Sequence, residues 1–241
     1  MRRRIAVALA AALALPVVAS AQDIAPPPQQ RFTISPFLGY AFTYHQKGTV
    51  RFTDPKGTSV ADYVRDVGGG VMPGISVEYQ ATHRFGFSAA GAYSRRGEES
   101  LSTDFVEVAP LFSPGGSLWF ARAAVTLDLY ESDDDVRMFK PTAQVSVGPA
   151  LVREVPAVET GRLASNSFAV HAAAAAELPL PWKGFTFRGA FEDYMTYLPN
   201  AEVAIQLGTD VSQQLGRAYG AELSSGATHL YVVRAGLSYH F

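Results

Sequence analysis

The sequence predicts an all-β protein, an eight-stranded antiparallel up-and-down transmembrane β-barrel. Three observations lead to this fold class. Eight stretches of the chain alternate between apolar and polar residues with a period of two. No stretch beyond the N-terminal leader reaches the length of about eighteen apolar residues that a membrane-spanning helix needs. The connections between the eight stretches are alternately short and long, which is typical of barrels that cross a membrane.

The N-terminal residues have the three parts of a secretory signal peptide. Three arginines precede an apolar stretch, residues 5–18, that is too short to span a membrane, and Ala19 and Ala21 are the small residues of a cleavage site. An uncleaved anchor is the alternative. The chain then divides into a cleaved signal peptide at 1–21, a Pro-rich periplasmic lead-in at 22–30 and the outer-membrane barrel at 31–241.

Eight period-two segments follow the lead-in. They cover 31–44, 69–81, 85–95, 117–130, 137–152, 166–180, 185–197 and 228–241. The sixth contains Ala172–Ala176, for which a short helix is the alternative because alanine favours helices. We expect a strand, since a helix would leave an odd number of strands. Pro36, Pro73 and Pro141 each remove a donor from the ladder, and they predict bulges.

Aromatic residues gather near the ends of the segments, where a membrane barrel has its interfacial girdles. They are Tyr40, Phe42, Tyr79, Tyr93, Trp119, Tyr130, Trp182, Phe185, Tyr194, Tyr197, Tyr231 and Tyr239. The four long connections are 45–68, 96–116, 153–165 and 198–227. We expect them to be solvated loops of mixed charge and modest order on the outer side, with the short turns on the periplasmic side. A ten-stranded barrel is the alternative, and it would require a split of 96–116.

The inward row of the segments holds most of their charged residues, four acidic and four basic. This row contains Glu78, Arg122, Asp128, Lys140, Gln144, His171, Glu177, Arg188, Glu192 and Arg234. An eight-stranded barrel is just wide enough for side chains to fill. Unpaired charges in such a space are costly, so we predict an interior polar network that plugs the barrel. A soluble barrel would have an apolar interior instead.

Position along the strands divides this network into two clusters. The periplasmic cluster contains Glu78, Asp128, Lys140, Glu177 and Arg188, and the mid-barrel cluster contains Arg122, His171, Glu192 and Arg234. A static, packed core is the favoured interpretation. The alternative is a gate in which the ion pairs break to open a narrow pore.

The sequence predicts no catalytic, cofactor-binding or metal site. The chain has no cysteine, so thiolate ligands are excluded. Asp133-Asp134-Asp135 lacks the spaced oxygen ligands of a calcium loop, and Gly68-Gly69-Gly70 lacks the Lys-Ser/Thr of a phosphate loop and predicts a flexible rim. The formal charge changes from −2 to −5 when the three N-terminal arginines are removed, and no basic patch stands out. A nucleic-acid partner is therefore not expected.

The five histidines lack the neighbours of a hydrolase. We expect His83 and His240 to be solvated, His45 to begin a loop and His171 to pair with a carboxylate inside the barrel. His229 could face inward near the outer rim. No nucleophile, base and orienting carboxylate are predicted to meet, so we predict that the protein is not an enzyme.

The last segment carries a resemblance to a known family. Tyr231, Val233, Ala235, Leu237, Tyr239 and Phe241 form an apolar row that ends in phenylalanine. This resembles the closing strand of small bacterial outer-membrane β-barrels, the OmpA/OmpX-like eight-stranded group. The resemblance implies location in the outer membrane of a Gram-negative cell, with Tyr239 and Phe241 as the assembly signal. The partners that it implies are outer-membrane lipid and lipopolysaccharide, periplasmic chaperones and the barrel-assembly machinery.

The same resemblance sets the functional expectations. We expect a structural or surface-interaction role for a monomeric, porin-like barrel, with an extracellular ligand at the loops. A narrow pore or a conduit for small molecules is the alternative, and a lipid-modifying enzyme is the least favoured. Since Phe241 ends the sequence, we do not expect the periplasmic peptidoglycan-binding domain of longer family members.

Overall fold

Eight strands close into one antiparallel barrel in the computed structural model, and each corresponds to a predicted segment. The strands are β1 (Phe32–Ala41), β4 (Gly70–Gln80), β5 (Phe85–Arg95), β8 (Ser117–Tyr130), β9 (Thr142–Val155), β10 (Ser165–Pro179), β11 (Phe185–Thr196) and β13 (Thr228–His240). Their order around the barrel is β1-β13-β11-β10-β9-β8-β5-β4. Backbone hydrogen bonds of 3.0 and 2.9 Å between Phe32 and Phe241 help to close the ring.

The structure describes residues 31–82, 84–104, 111–113, 115–130, 142–156, 164–196, 208–209, 211–213, 215–216 and 218–241. Several predictions fall outside these residues: the signal peptide with Ala19 and Ala21, the lead-in, His83, the Asp133–Asp135 run, Lys140, Pro141 and Tyr197. None of the helices in the described residues is long and apolar enough to cross a membrane.

The outward row of the barrel is apolar, as the alternation predicts. Leu38, Leu151 and Phe168 are 61%, 57% and 60% exposed, although each is a large hydrophobic residue. A water-soluble protein would not show such residues on every strand of a barrel. A membrane barrel has an apolar band at this position, so the exposed row is the surface that lipid covers.

The Ala-rich stretch, Pro36 and Pro73 are regular parts of barrel strands. The Ala-rich stretch is a strand, with Ala172 paired to Val147 on one side and to Asp193 on the other. The predicted bulges at Pro36 and Pro73 are wrong, since the β1–β4 register runs through both residues without a shift. The register shift of the barrel lies instead on β8, between residues 128 and 130.

Five further strands form a second antiparallel sheet beyond one end of the barrel. They are β2 (Tyr44–Asp54), β3 (Gly57–Val67), β6 (Glu99–Thr103), β7 (Leu111–Ser113) and β12 (Gly220–Ser225), in the order β12-β2-β3-β6-β7. We call this sheet, with the helical residues among 208–215, the cap. The opposite end of the barrel, with Ala81, Thr82 and Arg84 and with residues 180–184, is the turn end. The expectation of loops with modest order is therefore wrong where the long connections form strands. This applies to 45–68 and to the described strands within 96–116 and 198–227. The ten-stranded alternative is also wrong, because these strands stay outside the barrel.

The cap has a small core of its own. Its buried apolar residues are Val50, Phe52, Ala61, Tyr63, Leu101, Val211 and Tyr219. The β2–β3 hairpin turns at Asp54-Pro55-Lys56-Gly57, where the Asp54 carboxylate accepts hydrogen bonds of 2.9 Å from two backbone N–H groups. Proline second and glycine fourth suit a type I turn. This turn pairs the apolar rows of β2 and β3, which creates the core.

Glycines allow the chain to pass from the cap into the barrel. A Cβ atom on Gly70 would overlap the carbonyl oxygen of Arg95, and one on Gly68 would lie 3.0 Å from the carbonyl oxygen of Glu98. The predicted role of this glycine run was a flexible rim. Its role in the structure is close backbone approach between neighbouring strands, which only glycine permits.

Candidate functional site in the barrel interior

The interior of the barrel next to the turn end holds a cluster of carboxylates around one arginine. The Arg188 guanidinium contacts Glu78 at 3.0 Å and Glu177 at 2.8 Å. The Gln144 amide donates to Glu78 at 2.7 Å and to Asp128 at 3.0 Å, and its oxygen accepts a short hydrogen bond from Arg188. This turn-end cluster satisfies the described carboxylates through shared donors, as a buried network requires.

One carboxylate lies at the centre of the mid-barrel cluster. Glu192 is 1% exposed and contacts Arg234 at 2.8 Å, Arg122 at 3.2 Å and His171 at 3.7 Å. The Tyr194 hydroxyl donates to its second oxygen at 2.8 Å. Two arginines around one carboxylate make this layer net positive, whereas the described residues of the turn-end cluster are net negative. The two layers therefore attract each other along the barrel axis.

Small residues on the neighbouring strands make room for the long arginine side chains. The Arg234 guanidinium lies over the Phe37 ring, 4.5 Å from its centroid, which is a cation–π distance. The Phe37 ring in turn packs where a Cβ atom on Gly74 would be, and a Cβ atom on Gly236 would overlap the carbonyl oxygen of Pro36. Glycine beside a large residue thus allows the Phe37 ring and the Arg234 side chain to pack closely in the barrel interior.

A layer of apolar side chains follows toward the cap. Met72, Val152 and Val232 are fully buried, Leu118 and Leu230 are 1% and 2% exposed, and further members are Ala41, Ala92, Phe120, Ala150 and Ala169. The expectation of a wholly polar interior is therefore wrong for this half. The reason is that the cap, rather than bulk water, covers the inward row at this end.

A third charged group, the rim cluster, lies where the barrel meets the cap. Arg65 is fully buried and donates to Glu99 at 2.7 Å, makes a short ion pair with Glu154 and lies 3.4 Å from Gln46. Burial lowers the pKa of Arg65, but Tyr44, Glu154 and Glu99 raise it by more, so the pKa lies well above its ordinary value. Arg65 is therefore a fixed cation that joins β3 of the cap to β9 of the barrel.

Tyr44 and Arg96 pack beside the rim cluster. The Arg96 guanidinium lies 5.3 Å from the Tyr44 ring centroid and donates to the carbonyl oxygen of Phe42 at 2.9 Å. Burial raises the pKa of the Tyr44 hydroxyl, and the Coulomb field of Arg65 opposes the shift. Burial lowers the pKa of Arg96. The phenol is therefore held in its neutral form.

The structure divides the predicted interior residues into the two expected clusters. Glu78, Asp128, Glu177 and Arg188 are together at the turn end, and Arg122, His171, Glu192 and Arg234 are together at mid-barrel. Lys140 lies outside the described residues. Tyr239 on β13 and Phe241 directly after it are exposed, and their predicted role in assembly stays a prediction.

Some residues lie where the sequence did not place them. Tyr194 was expected in an interfacial girdle, but it points inward and is 2% exposed. Its even number puts it on the same row as Glu192, so the alternation could have found it. Arg65 was expected on a solvated loop, yet it continues the buried row of Ala61, Tyr63 and Val67. The mixed charge of this stretch hid that signal.

Two histidines also differ from expectation. His240 was expected to be solvated, but it hydrogen bonds to Thr33 at 2.9 Å and to Thr186 at 3.0 Å, and it lies 3.4 Å from Glu177. An inward position near the outer rim was one option for His229, but His229 is exposed on the outward row and pairs with Asp193 at 2.8 Å. His171 faces inward beside Glu192 as predicted.

In the described part of the chain, no three His, Cys, Asp or Glu side chains are grouped closely enough to hold a metal ion. The His229 ring hydrogen bonds to the Asp193 carboxylate at 2.8 Å. The expected absence of metal, cofactor and catalytic sites stays a prediction.

Known proteins resemble this chain in fold and not in sequence. No family model matches the sequence, and no curated protein does. The outer membrane protein OprG from Pseudomonas aeruginosa is similar in structure, with a TM-score of 0.52 and 12% identity over 89% of this chain and 97% of OprG. The outer membrane protein AlkL, in lipid bilayers, has a TM-score of 0.45 and 12% identity over 90% of this chain and 92% of AlkL. Neisserial surface protein A has a TM-score of 0.42 and 9% identity over 87% and 97% of the two chains.

The chain therefore has the fold of the small eight-stranded outer-membrane β-barrels. The closed ring, the apolar outward row and the likeness to OprG agree on this class. Together they indicate a location in the outer membrane. At 12% identity the likeness to OprG shows the fold and carries no function.

Proposed function

We propose that the protein is a plugged outer-membrane barrel with a structural or surface-interaction role, and that the cap presents its interaction surface outside the cell. The observation that carries the proposal is the filled interior. The mid-barrel cluster and the apolar layer follow each other directly, and their members are buried. An ion that crossed this region would have to break the contacts of Glu192 and then enter an apolar layer, and both steps are costly.

The cap supports the second half of the proposal because its outer face is ordered and charged. His45, Lys47, Arg51, Asp62 and Glu222 project from β2, β3 and β12 and are exposed. His45 and Asp66 lie 2.6 Å apart on this face, and Arg51 is paired in register with Glu222. Long loops with function are frequently built on a rigid scaffold. An independent core below this face gives the cap that rigidity.

A narrow pore or a conduit for small molecules is the alternative function. The observation that favours it is the apolar layer itself, since small apolar ligands bind among such side chains. The plugged barrel predicts a closed interior, whereas a conduit predicts an interior that opens. A lipid-modifying enzyme is the third possibility, and the absence of enzymatic activity stays a prediction.

Conductance and surface labelling test the two halves of the proposal. The refolded protein, with folding proved by a heat-modifiable gel band, should give no discrete openings in a planar bilayer. Reproducible openings would establish the pore.

On intact cells, a membrane-impermeant amine reagent should label Lys47 and Lys56 of the cap and leave Lys183 at the turn end unlabelled. Labelling of Lys183 alone would show that the cap faces the periplasm.

A further inference from the structure

The lipid-facing rows of the barrel strands are almost free of charged side chains. Among the described residues of these rows, the Asp, Glu, Lys, Arg and His side chains are Arg95, Arg153, Asp193 and His229. All four lie within a few residues of the cap end. The cost of a charge on the lipid face falls from the centre of the membrane to its surface. Their common height therefore marks the level of the lipid headgroups.

Two of these four side chains pair with each other. Asp193 on β11 and His229 on β13 are neighbours at 2.8 Å, and the His229 ring stacks on Tyr231 with centroids 5.8 Å apart. Arg95 and Arg153 lie on the other side of the barrel, on β5 and β9, with β8 between them. Both are exposed, and neither has a carboxylate partner among the described residues. This side of the rim is therefore positive and the opposite side is not.

The two arginines stand above an aromatic and apolar surface. Arg95 is in register with Ser117 of β8, and Arg153 with Trp119 of β8 and Asn166 of β10. The Tyr93 and Trp119 rings lie next to them, 4.7 Å apart. Toward the turn end the same surface continues as exposed large hydrophobic residues on β9 and β10, Leu151 and Phe168.

We propose that Arg95 and Arg153 bind the phosphate of an anionic lipid headgroup. The guanidinium group matches phosphate with two parallel hydrogen bonds, and cations at this height attract anionic headgroups. Ser117 and Asn166 are polar neighbours that can donate to the same headgroup. Trp119, Leu151 and Phe168 provide the surface along which the acyl chains lie. The proposal rests on the membrane position of the barrel and is independent of the function of the cap.

The test compares two variants of equal charge. Arg95→Gln with Arg153→Gln removes the proposed site, and Arg84→Gln with Lys183→Gln removes two exposed cations at the turn end. Binding of lipid A that carries its phosphates, and of the same lipid after dephosphorylation, is measured by native mass spectrometry of the folded protein in detergent. The wild type should prefer the phosphorylated lipid. The first variant should bind it more weakly, by about fivefold for each arginine removed, and the control should bind it as the wild type does.

Four further outcomes decide the proposal. Equal weakening in both variants would mean that total charge alone attracts the lipid, and unchanged binding in the first variant would exclude the site. Displacement of the lipid by an equal concentration of inorganic phosphate would show a free anion site and would overturn the lipid assignment. The Arg95→Lys with Arg153→Lys variant keeps both charges, so it should fold and retain intermediate binding. If this lysine variant loses all preference for the phosphorylated lipid, the proposed attraction between the two charges and the phosphate is contradicted.

Discussion

The barrel and the cap use the same alternation of residues in opposite senses. The barrel turns valine, leucine and phenylalanine outward and buries Glu192, Arg122 and Arg234. The cap buries Val50 and Phe52 and, apart from the rim cluster, turns its charges outward. Both regions have period-two strands, and only a short glycine run separates β3 of the cap from β4 of the barrel. The surroundings, lipid for one and water for the other, decide which row becomes the interior.

This contrast shows why stability has a different source in each region. The barrel places its charges in a space of low dielectric, where loss of one partner leaves the others unsatisfied. Apart from the rim cluster, the charges of the cap face water, where ion pairs contribute little. Equal substitutions should therefore have unequal effects in the two regions.

The largest effect is expected from loss of the central carboxylate. Glu192→Ala leaves Arg122 and Arg234 without their shared acceptor, and the free energy of unfolding should fall by about 4 kcal/mol. Urea unfolding in detergent, followed by tryptophan fluorescence, measures the change. Glu222→Ala on the exposed face of the cap is the matched control, with an expected change within about 0.5 kcal/mol. Equal losses in the two variants would contradict the network.

A smaller effect is expected from a charge placed on each outward surface. Val147 on the barrel is 56% exposed and Val60 on the cap is 64% exposed, so their environments differ although their exposure is similar. Val147→Arg should lower the free energy of unfolding in lipid vesicles by about 3 kcal/mol, because the side chain faces hydrocarbon. Val60→Arg should have almost no effect. A tolerated Val147→Arg would show that this row does not face lipid.

The smallest effect is expected at the junction of the two regions and depends on pH. The buried Tyr44 hydroxyl has a raised pKa, so the folded state keeps its proton at a pH where the unfolded chain has lost it. Its contribution is present below a pH of about 10 and is lost as the pH rises further, by about 1 kcal/mol for each pH unit. Tyr44→Phe should lack this part of the alkaline decline. The measurement is the unfolding free energy of both proteins from pH 9 to 12, and parallel curves would contradict the prediction.

The sequence predicted the barrel well because lipid imposes a strict pattern on it. Outward positions within the hydrocarbon region must be apolar, so rows such as Val71, Ile75 and Val77 stand out even without neighbours. The pairing of the Ala-rich β10 followed from the even strand count that a barrel of this type requires. The division of the interior charges into two clusters followed from the distance of each residue to the nearest turn.

The sequence analysis did not predict the cap, because the strand alternation and the loop-like mixed charge of these residues point to different structures. Lys47, Arg51, Asp62 and Asp66 alternate with the apolar residues of β2 and β3, and mixed charge in a long connection is typical of a solvated loop. The pairing of β12 with β2 joins residues from opposite ends of the described chain, which no local pattern reveals. Arg65 is buried against side chains of β2, β6 and β9, which are distant in sequence, so its position could not be found without the cap.

The long-range pairing in the cap has a consequence for assembly. β2 lies directly after β1, and β12 lies just before β13, so these two strands come together when β1 and β13 meet. Contacts between distant parts of a chain form late in folding, because the loop between them must first be ordered. The edge of the cap where β12 pairs with β2 is therefore complete only in molecules whose barrel has closed. An antibody raised against that edge should distinguish finished molecules from those whose barrel is still open.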